Sequence, residues 1–190
     1  ALVSHFPGMK VVVPSTAQEV KGLLKTAIRD DNPVIFFEHK MEYTNKFMID
    51  DVVEPIPFGK ANIVRQGKDV TIVATSSQVM KSVKAAEALE RDGISAEVID
   101  LRTIVPLDRE TIIESVKKTG RLLIVDEAYE RCGIGAEIGA DLMDDVFYYL
   151  DAPIGRIGTP NVPIPFSPAL EFPILPSVEK TIAKVKKMMK

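Results

Sequence analysis

Cysteine occurs once in this sequence, at Cys132, and tryptophan not at all. A single cysteine excludes an intramolecular disulfide framework and any cysteine-based zinc site, and it suits a reducing compartment. Histidine is nearly as scarce: His5 and His39 stand far apart, with no metal-ligand spacing and no triad pattern around them. The net charge of −3 has no large excess of either sign, so neither nucleic acid nor an anionic membrane is an expected partner. No apolar run approaches the roughly 20 residues that a membrane-crossing helix needs. No internal repeat is present. The opening ALVSHFPGMK lacks an initiator Met, a basic region and an apolar stretch. It is expected not to be a signal peptide, and reads like a cut made inside a longer protein.

What the chain does contain is an alternation. Of its 190 residues, 46% are hydrophobic and 27% charged, enough for a globular core without disulfides or metals. Short β-branched runs alternate with longer amphipathic segments, which predicts an α/β domain around a mainly parallel sheet. Lys10–Val13 reads as a strand. Ser15 with Gln18 and Thr16 with Glu19 form overlapping capping boxes. The helix they start carries Val20, Leu23, Leu24, Ala27 and Ile28 on one face and ends near Asp30. Pro33–Phe37 is the next strand. Residues 38–58 then lose the period and read as a surface linker. The boundary placed there separates residues 1–52 from a second domain, residues 53–190. In that domain strands are predicted at Ala61–Arg65, Val70–Thr75, Ala96–Leu101, Arg121–Val125 and Ile154–Ile157. Helices are predicted from Ser77 to Arg91, closed by Gly93, from the cap Asp108 to Lys118, and from Gly135 to Leu150. A last helix starts at Ser177 and ends in lysines, which suit the negative end of its dipole.

Several motifs invite a functional reading, and each has a plainer one. Gly133, Gly135 and Gly139 follow a strand and open a helix, as a dinucleotide fingerprint does. The third glycine is out of place, though, and no acidic residue ends a following strand at the expected distance. A tight turn and close helix–sheet packing explain them better. Asp126-Glu127 sets paired acids at a strand's carboxyl end, where open α/β sheets bind ligands. No histidine accompanies them in sequence, and Arg121 and Arg131 are near enough to neutralise them, so a structural role is expected. Cys132 is expected as a buried or half-buried thiol, and His39, in Glu38-His39-Lys40, at the surface. The segment Ala27-Ile28-Arg29-Asp30-Asp31-Asn32 ends a helix without a glycine cap, so its last carbonyls point into a turn carrying two carboxylates and an amide. Either Asn32 caps the helix or the carbonyls hold a hard cation. The residues alone present no catalytic constellation.

Taken together, the blocks form a recognisable series. FPGMKVVVPSTAQEVKGLLKTAIRDDNPVIFFEHK resembles the latter part of the pyrimidine-binding domain in beta subunits of pyruvate, branched-chain 2-oxoacid and acetoin dehydrogenases. GKDVTIVATSSQVMKSVKAAEALERDGISAEVIDLRTIVPLD resembles the opening of their transketolase-type C-terminal domain. GRLLIVDEAYERCGIGAEIGADL, FYYLDAPIGRIGTPNVPIPFSPALE and LPSVEKTIAKV are similar to its remainder, in order. The resemblance implies a three-layer transketolase C-terminal-type α/β domain with a mostly parallel sheet, preceded by the remnant of a pyrimidine-binding α/β domain.

The resemblance also implies where the chemistry lies. The family's activating glutamate and the histidine of an HSQ motif are expected upstream of Ala1, and the thiamine diphosphate and its Mg2+ on the alpha subunit. No catalytic or cofactor-binding residue is therefore expected in this chain, which by itself is expected to be inactive. Two features carry over. Ala27, Ile28, Asp30 and Asn32 match a potassium site, mostly through backbone carbonyls. Asp151 matches an acidic residue that contacts the subunit-binding domain of the lipoyl acyltransferase core, with a plain turn aspartate as the alternative. The implied parent enzyme oxidatively decarboxylates a 2-oxoacid, pyruvate foremost, or cleaves acetoin, and passes the acyl group to lipoamide. This domain would serve assembly with the alpha subunit and a second beta subunit, and docking to the acyltransferase core. The implied location is a prokaryotic cytoplasm, or the mitochondrial matrix in a eukaryote. The competing readings are a stand-alone transketolase-type binding or regulatory module, and part of a single-chain transketolase-like enzyme. The blocks LDAPIGR and TPNVPIPFSPALE argue against the latter.

Overall fold

The computed structural model describes residues 1–190. Eight strands fall into two sheets. The smaller holds β1 (Lys10–Val12) between β2 (Val34–Phe36), which is parallel to it, and β6 (Thr103–Val105), which is antiparallel. The larger has the order β3-β5-β4-β7-β8. Its strands are β3 (Asn62–Arg65), β4 (Val70–Ala74), β5 (Ala96–Asp100), β7 (Leu122–Tyr129) and β8 (Gly155–Thr159). All neighbours in it run parallel except the edge strand β3, which is antiparallel to β5.

Side-chain alternation along the central strands divides the interior into two cores. Val70, Ile72 and Ala74 of β4, with Leu123 and Val125 of β7, face α2 (Ser77–Arg91) and α7 (Val178–Met188). Val73, Ile99, Leu122 and Ile124 face the opposite way, toward α3 (Arg109–Thr119) and α4 (Ile134–Asp141). The result is the expected three-layer domain. Ile72, Leu89, Ile99, Leu101, Ile112, Leu122 and Leu123 are fully buried, and each contributes about 1.5–3 kcal/mol of transfer free energy. Acids also lie in this interior, each with polar partners. Glu97 is fully buried but hydrogen-bonded to Ser115 and Lys118, and Ser115 in turn meets Thr71 Oγ1 at 2.6 Å.

The helix ends follow local rules. Thr16 caps α1 (Ala17–Ile28) by accepting from Glu19 N at 3.3 Å. Asp108 caps α3 through Thr111 N at 3.2 Å. Past α2, Gly93 N bonds Glu90 O and Ile94 N bonds Leu89 O, both at 3.0 Å, with Gly93 left-handed at φ +79°. Between the sheets, residues 38–58 hold one 3-10 turn, Lys40–Thr44, and then run along α1. Ile56 N donates to Gly22 O at 3.1 Å, and Thr26 Oγ1 donates to Ile56 O at 2.6 Å. Gly22 allows this approach, since a Cβ there would lie 2.7 Å from Ile56.

Two departures from the sequence reading are informative. The helix expected from Gly135 to Leu150 is broken into α4, α5 (Met143–Val146) and a 3-10 turn, Phe147–Tyr149. Arg109 is the cause: its Nη2 donates to Asp141 O at 2.8 Å, and Asp145 N turns instead to Leu142 O at 3.1 Å. The second departure is β6, for which no strand was predicted. Arg102, at φ +57°, turns the chain out of β5 so that Thr103–Val105 pairs with β1 and joins the first unit to the second. The remaining short helix, α6 (Pro168–Glu171), lies in the proline-rich passage.

Candidate functional site

The carboxyl ends of strands from both sheets open onto one crevice. β1 leads to Pro14 and Ser15, β2 to Glu38 and His39, and β4 to Ser76. These residues line a cavity of about 480 Å³. Ser76 has φ +46° and ψ −128° between β4 and α2, a sparsely populated conformation for a non-glycine residue that costs about 1–3 kcal/mol. Such strand ends are where ligands of open α/β sheets bind.

Beside this cavity, Glu127 at the end of β7 gathers several partners. Gln78 Nε2 donates to its Oε2 at 2.8 Å and Ser77 Oγ at 3.2 Å, and Lys81 Nζ stands 3.8 Å away. His39 Nε2 lies 3.0 Å from Oε1. Burial pushes the Glu127 carboxyl up. The hydrogen bond and charge of His39, with Lys81 and Gln78, more than offset this and hold it below the usual glutamate range. An ionised Glu127 only accepts, so His39 Nε2 carries the proton of that bond. The ring's Nδ1 is buried without a partner. Neighbouring Asp126 accepts from Thr75 Oγ1 at 2.9 Å. The acids at this strand end thus do have a histidine partner, and His39 is half-buried rather than a surface group.

The turn after α1 is closed on itself. Asp30 Oδ1 accepts from Asn32 N and Asn32 Nδ2, both at 2.9 Å, and its other oxygen from Lys10. The Lys10 hydrogen bond, with those from Asn32, holds the Asp30 carboxyl at about 2. Ala27 O accepts from Asp30 N at 3.3 Å, while the carbonyls of Ile28 and Asp30 receive no backbone N–H. Asp151 lies at the far end of the domain, beyond α3. Its N donates to Gly120 O at 2.8 Å and its carboxylate is 3.2 Å from Arg121 Nη1, yet its side chain is 62% exposed.

The glycines of residues 133–139 serve packing. A Cβ on Gly133 would stand 2.1 Å from Tyr129 O, and one on Gly135 3.3 Å from Ile124. Cys132 corrects the sequence reading: it is exposed, in the turn between β7 and α4, at φ +53°.

A family model described as transketolase, C-terminal domain, matches residues 59–181. The chain belongs to that family. A second model, transketolase, pyrimidine binding domain, matches residues 1–46. The chain is 53% identical over 188 residues to the pyruvate dehydrogenase E1 component subunit beta of Rickettsia felis, covering 99% of this chain and 58% of that one. It is 48% identical over 189 residues to the acetoin:2,6-dichlorophenolindophenol oxidoreductase subunit beta of Cupriavidus necator, covering 100% and 56%. It therefore spans little more than half the length of these relatives. Among solved structures, a split-gene transketolase described as an inactive beta4 tetramer superposes with a TM-score of 0.82 at 27% identity, covering 99% of this chain and 59% of that chain.

In this transketolase-type domain, sequence reasoning missed the pairing that organises the crevice. Glu127 and His39 lie 88 residues apart, and only the crossing of β6 onto β1 sets their two strands' ends side by side. The one available signal was an acid pair at the carboxyl end of a strand, where open α/β sheets bind ligands.

Proposed function

We propose that this chain is the C-terminal part of the beta subunit of a thiamine-diphosphate-dependent dehydrogenase. That enzyme oxidatively decarboxylates a 2-oxoacid, pyruvate foremost, or cleaves acetoin, and passes the acyl group to lipoamide. The observation that carries this is identity of about half, over nearly the whole chain, to beta subunits from pyruvate and acetoin enzymes. The role of this part is assembly, with an alpha subunit and a second beta subunit, and docking to the lipoyl acyltransferase core. No group of three His, Cys, Asp or Glu side chains here could hold a metal ion. No chemical step is assigned to the residues of this chain. Relatives include a mitochondrial subunit from Pisum sativum, and no helix is long and apolar enough to cross a membrane.

The deciding experiment is dye-coupled turnover by the full-length beta subunit co-expressed with its alpha partner, with pyruvate, 2-oxoisovalerate and acetoin. Turnover of one names the substrate. None with any, from a cofactor-loaded complex, defeats the proposal and favours a stand-alone transketolase-type module.

Two sites belong to the same proposal. The free carbonyls of Ile28 and Asp30 support a potassium ion at the turn, with Ala27 and Asn32 completing the set. Lys10 competes for the Asp30 carboxylate, so the ion would rely on carbonyl oxygens. A higher melting temperature of the full-length subunit in potassium than in matched tetramethylammonium chloride tests this. For the acyltransferase contact, the exposure and fixed position of Asp151 support it. Asp151→Ala should weaken binding of the subunit-binding domain without changing the melting temperature.

A further inference from the structure

Two carboxylates from different parts of the fold meet in the interior. Glu19, in the first turn of α1, is 4% exposed, and Asp100, the last residue of β5, is 0% exposed. The hydroxyl of Ser15, itself buried, stands between them: its Oγ is 2.9 Å from Glu19 Oε2 and in short contact with Asp100 Oδ2. Around this core, Ser15 N donates to Glu19 Oε2 at 3.2 Å and Arg102 Nε to Glu19 Oε1 at 2.7 Å. Arg102 N donates to Asp100 Oδ1 at 2.9 Å.

Counting protons decides the state of this cluster. A serine hydroxyl has one proton to give, so it cannot donate to two ionised carboxylates at once. The Arg102 side chain lies on Glu19, whereas the Asp100 oxygens meet a backbone N–H, the serine and the Glu19 carboxyl itself. Two buried anions sharing a single guanidinium are costly. We infer that Asp100 is held as the neutral acid, its one proton directed toward Ser15 Oγ and the Glu19 carboxylate beside it. This hydrogen-bonded cluster pins the first unit to the C-terminal domain and makes the seam between them weaken as pH rises.

The electrostatics of the surroundings agree. Burial, then the charge of Glu19, pushes the Asp100 carboxyl well above the usual aspartate range. Burial also pushes Glu19 up, but the bonds it accepts from Asp100, Arg102 and Ser15 hold it below its usual range. The charged groups facing the pair are Glu19 from α1 and Arg102 from the turn after β5. The antiparallel neighbour β3 sets the neutral Asn62 opposite Asp100. Because Asp100 binds its proton more tightly when folded, its contribution is fully present below the ordinary aspartate range. It is lost as pH rises toward the folded value.

Asp100→Asn keeps an acceptor for Arg102 N and offers Ser15 a donor that does not titrate. The ratio of folding equilibrium constants, variant over native, is read by chemical denaturation from about pH 4 to about pH 9. It should rise about tenfold per pH unit until Asp100 titrates in the native protein, then flatten. In 13C NMR of aspartate-labelled native protein, one carboxyl carbon, absent from the Asp100→Asn spectrum, should keep the shift of a neutral acid at neutral pH. A flat ratio, or an Asp100 carbon with the shift of a carboxylate at neutral pH, overturns the inference. Should Asp100→Asn fail to fold, Glu19→Gln removes the neighbouring anion and should move the titration of that carbon to lower pH. An unmoved titration overturns the inference equally.

Discussion

Cutting either end of the His39–Glu127 contact measures how firmly the segment after β2 is held on the second domain. The two side chains are 23% and 30% exposed, so water screens part of the charge. A hydrogen bond to a charged group contributes about 1.5–3 kcal/mol, and an exposed ion pair about 0–1 kcal/mol. With this exposure the coupling should be about 1 kcal/mol. Glu127→Ala alone should cost more, about 2–3 kcal/mol, because it also strands Gln78. Gln78 is 1% exposed and its Oε1 already lacks a partner. His39→Ala should cost about 1 kcal/mol, and the double variant about 1 kcal/mol less than the sum of the singles. With no tryptophan in the chain, urea unfolding followed by far-UV circular dichroism is the assay. The Glu127 carboxyl sits below its ordinary value of 4.5, so its contribution is present above that pH and is lost as pH falls through the folded value. The deficit of Glu127→Ala should shrink in acid accordingly. Costs that add to within about 0.3 kcal/mol, at neutral pH, would refute the reasoning.

Further perturbations test the frame around the site. Asp108→Ala removes the α3 cap and also the acceptor of Ala61 N at 2.9 Å. It should cost about 1–2 kcal/mol in urea unfolding, with Asp108→Asn recovering part. Gly120→Ala puts a Cβ on a left-handed residue, φ +69°, 2.4 Å from Asp151 Oδ2. It should lower stability by about 1–2 kcal/mol, and Asp151→Ala in the same chain should relieve part of that. Asp30, held at about 2 against an ordinary value of 3.8, contributes stability above 3.8 that is lost as pH falls toward about 2. Asp30→Asn should flatten that part of the acid unfolding curve.

The parts of the fold that were legible share a physical trait: their stabilising partners lie within a few residues. Thr16, Asp108 and Ser177 accept from an N–H three positions on. Gly93 supplies a left-handed end that its own helix selects. What escaped was settled at long range. The break after α4 depends on Arg109, 32 residues before the Asp141 carbonyl that it captures. Thr103–Val105 is a strand because the edge of β1 is there to receive it, not because three residues show a period. Likewise β3 and β4 follow each other in sequence, yet β5 lies between them.

The same distinction explains the crevice. Asp126-Glu127 was visible as an acid pair at a strand end, but an acid pair does not encode the address of its counter-charge. That address was set when the chain crossed from β5 through β6 to the edge of β1. The crossing aligned the carboxyl ends of β1 and β2 with those of β4 and β7, and brought His39 to Glu127. Ser15 reached Asp100 by the same crossing. Both inter-unit contacts therefore depend on one three-residue strand. It follows that weakening β6 should loosen His39 and Ser15 together, whereas cutting either contact alone should leave the other in place.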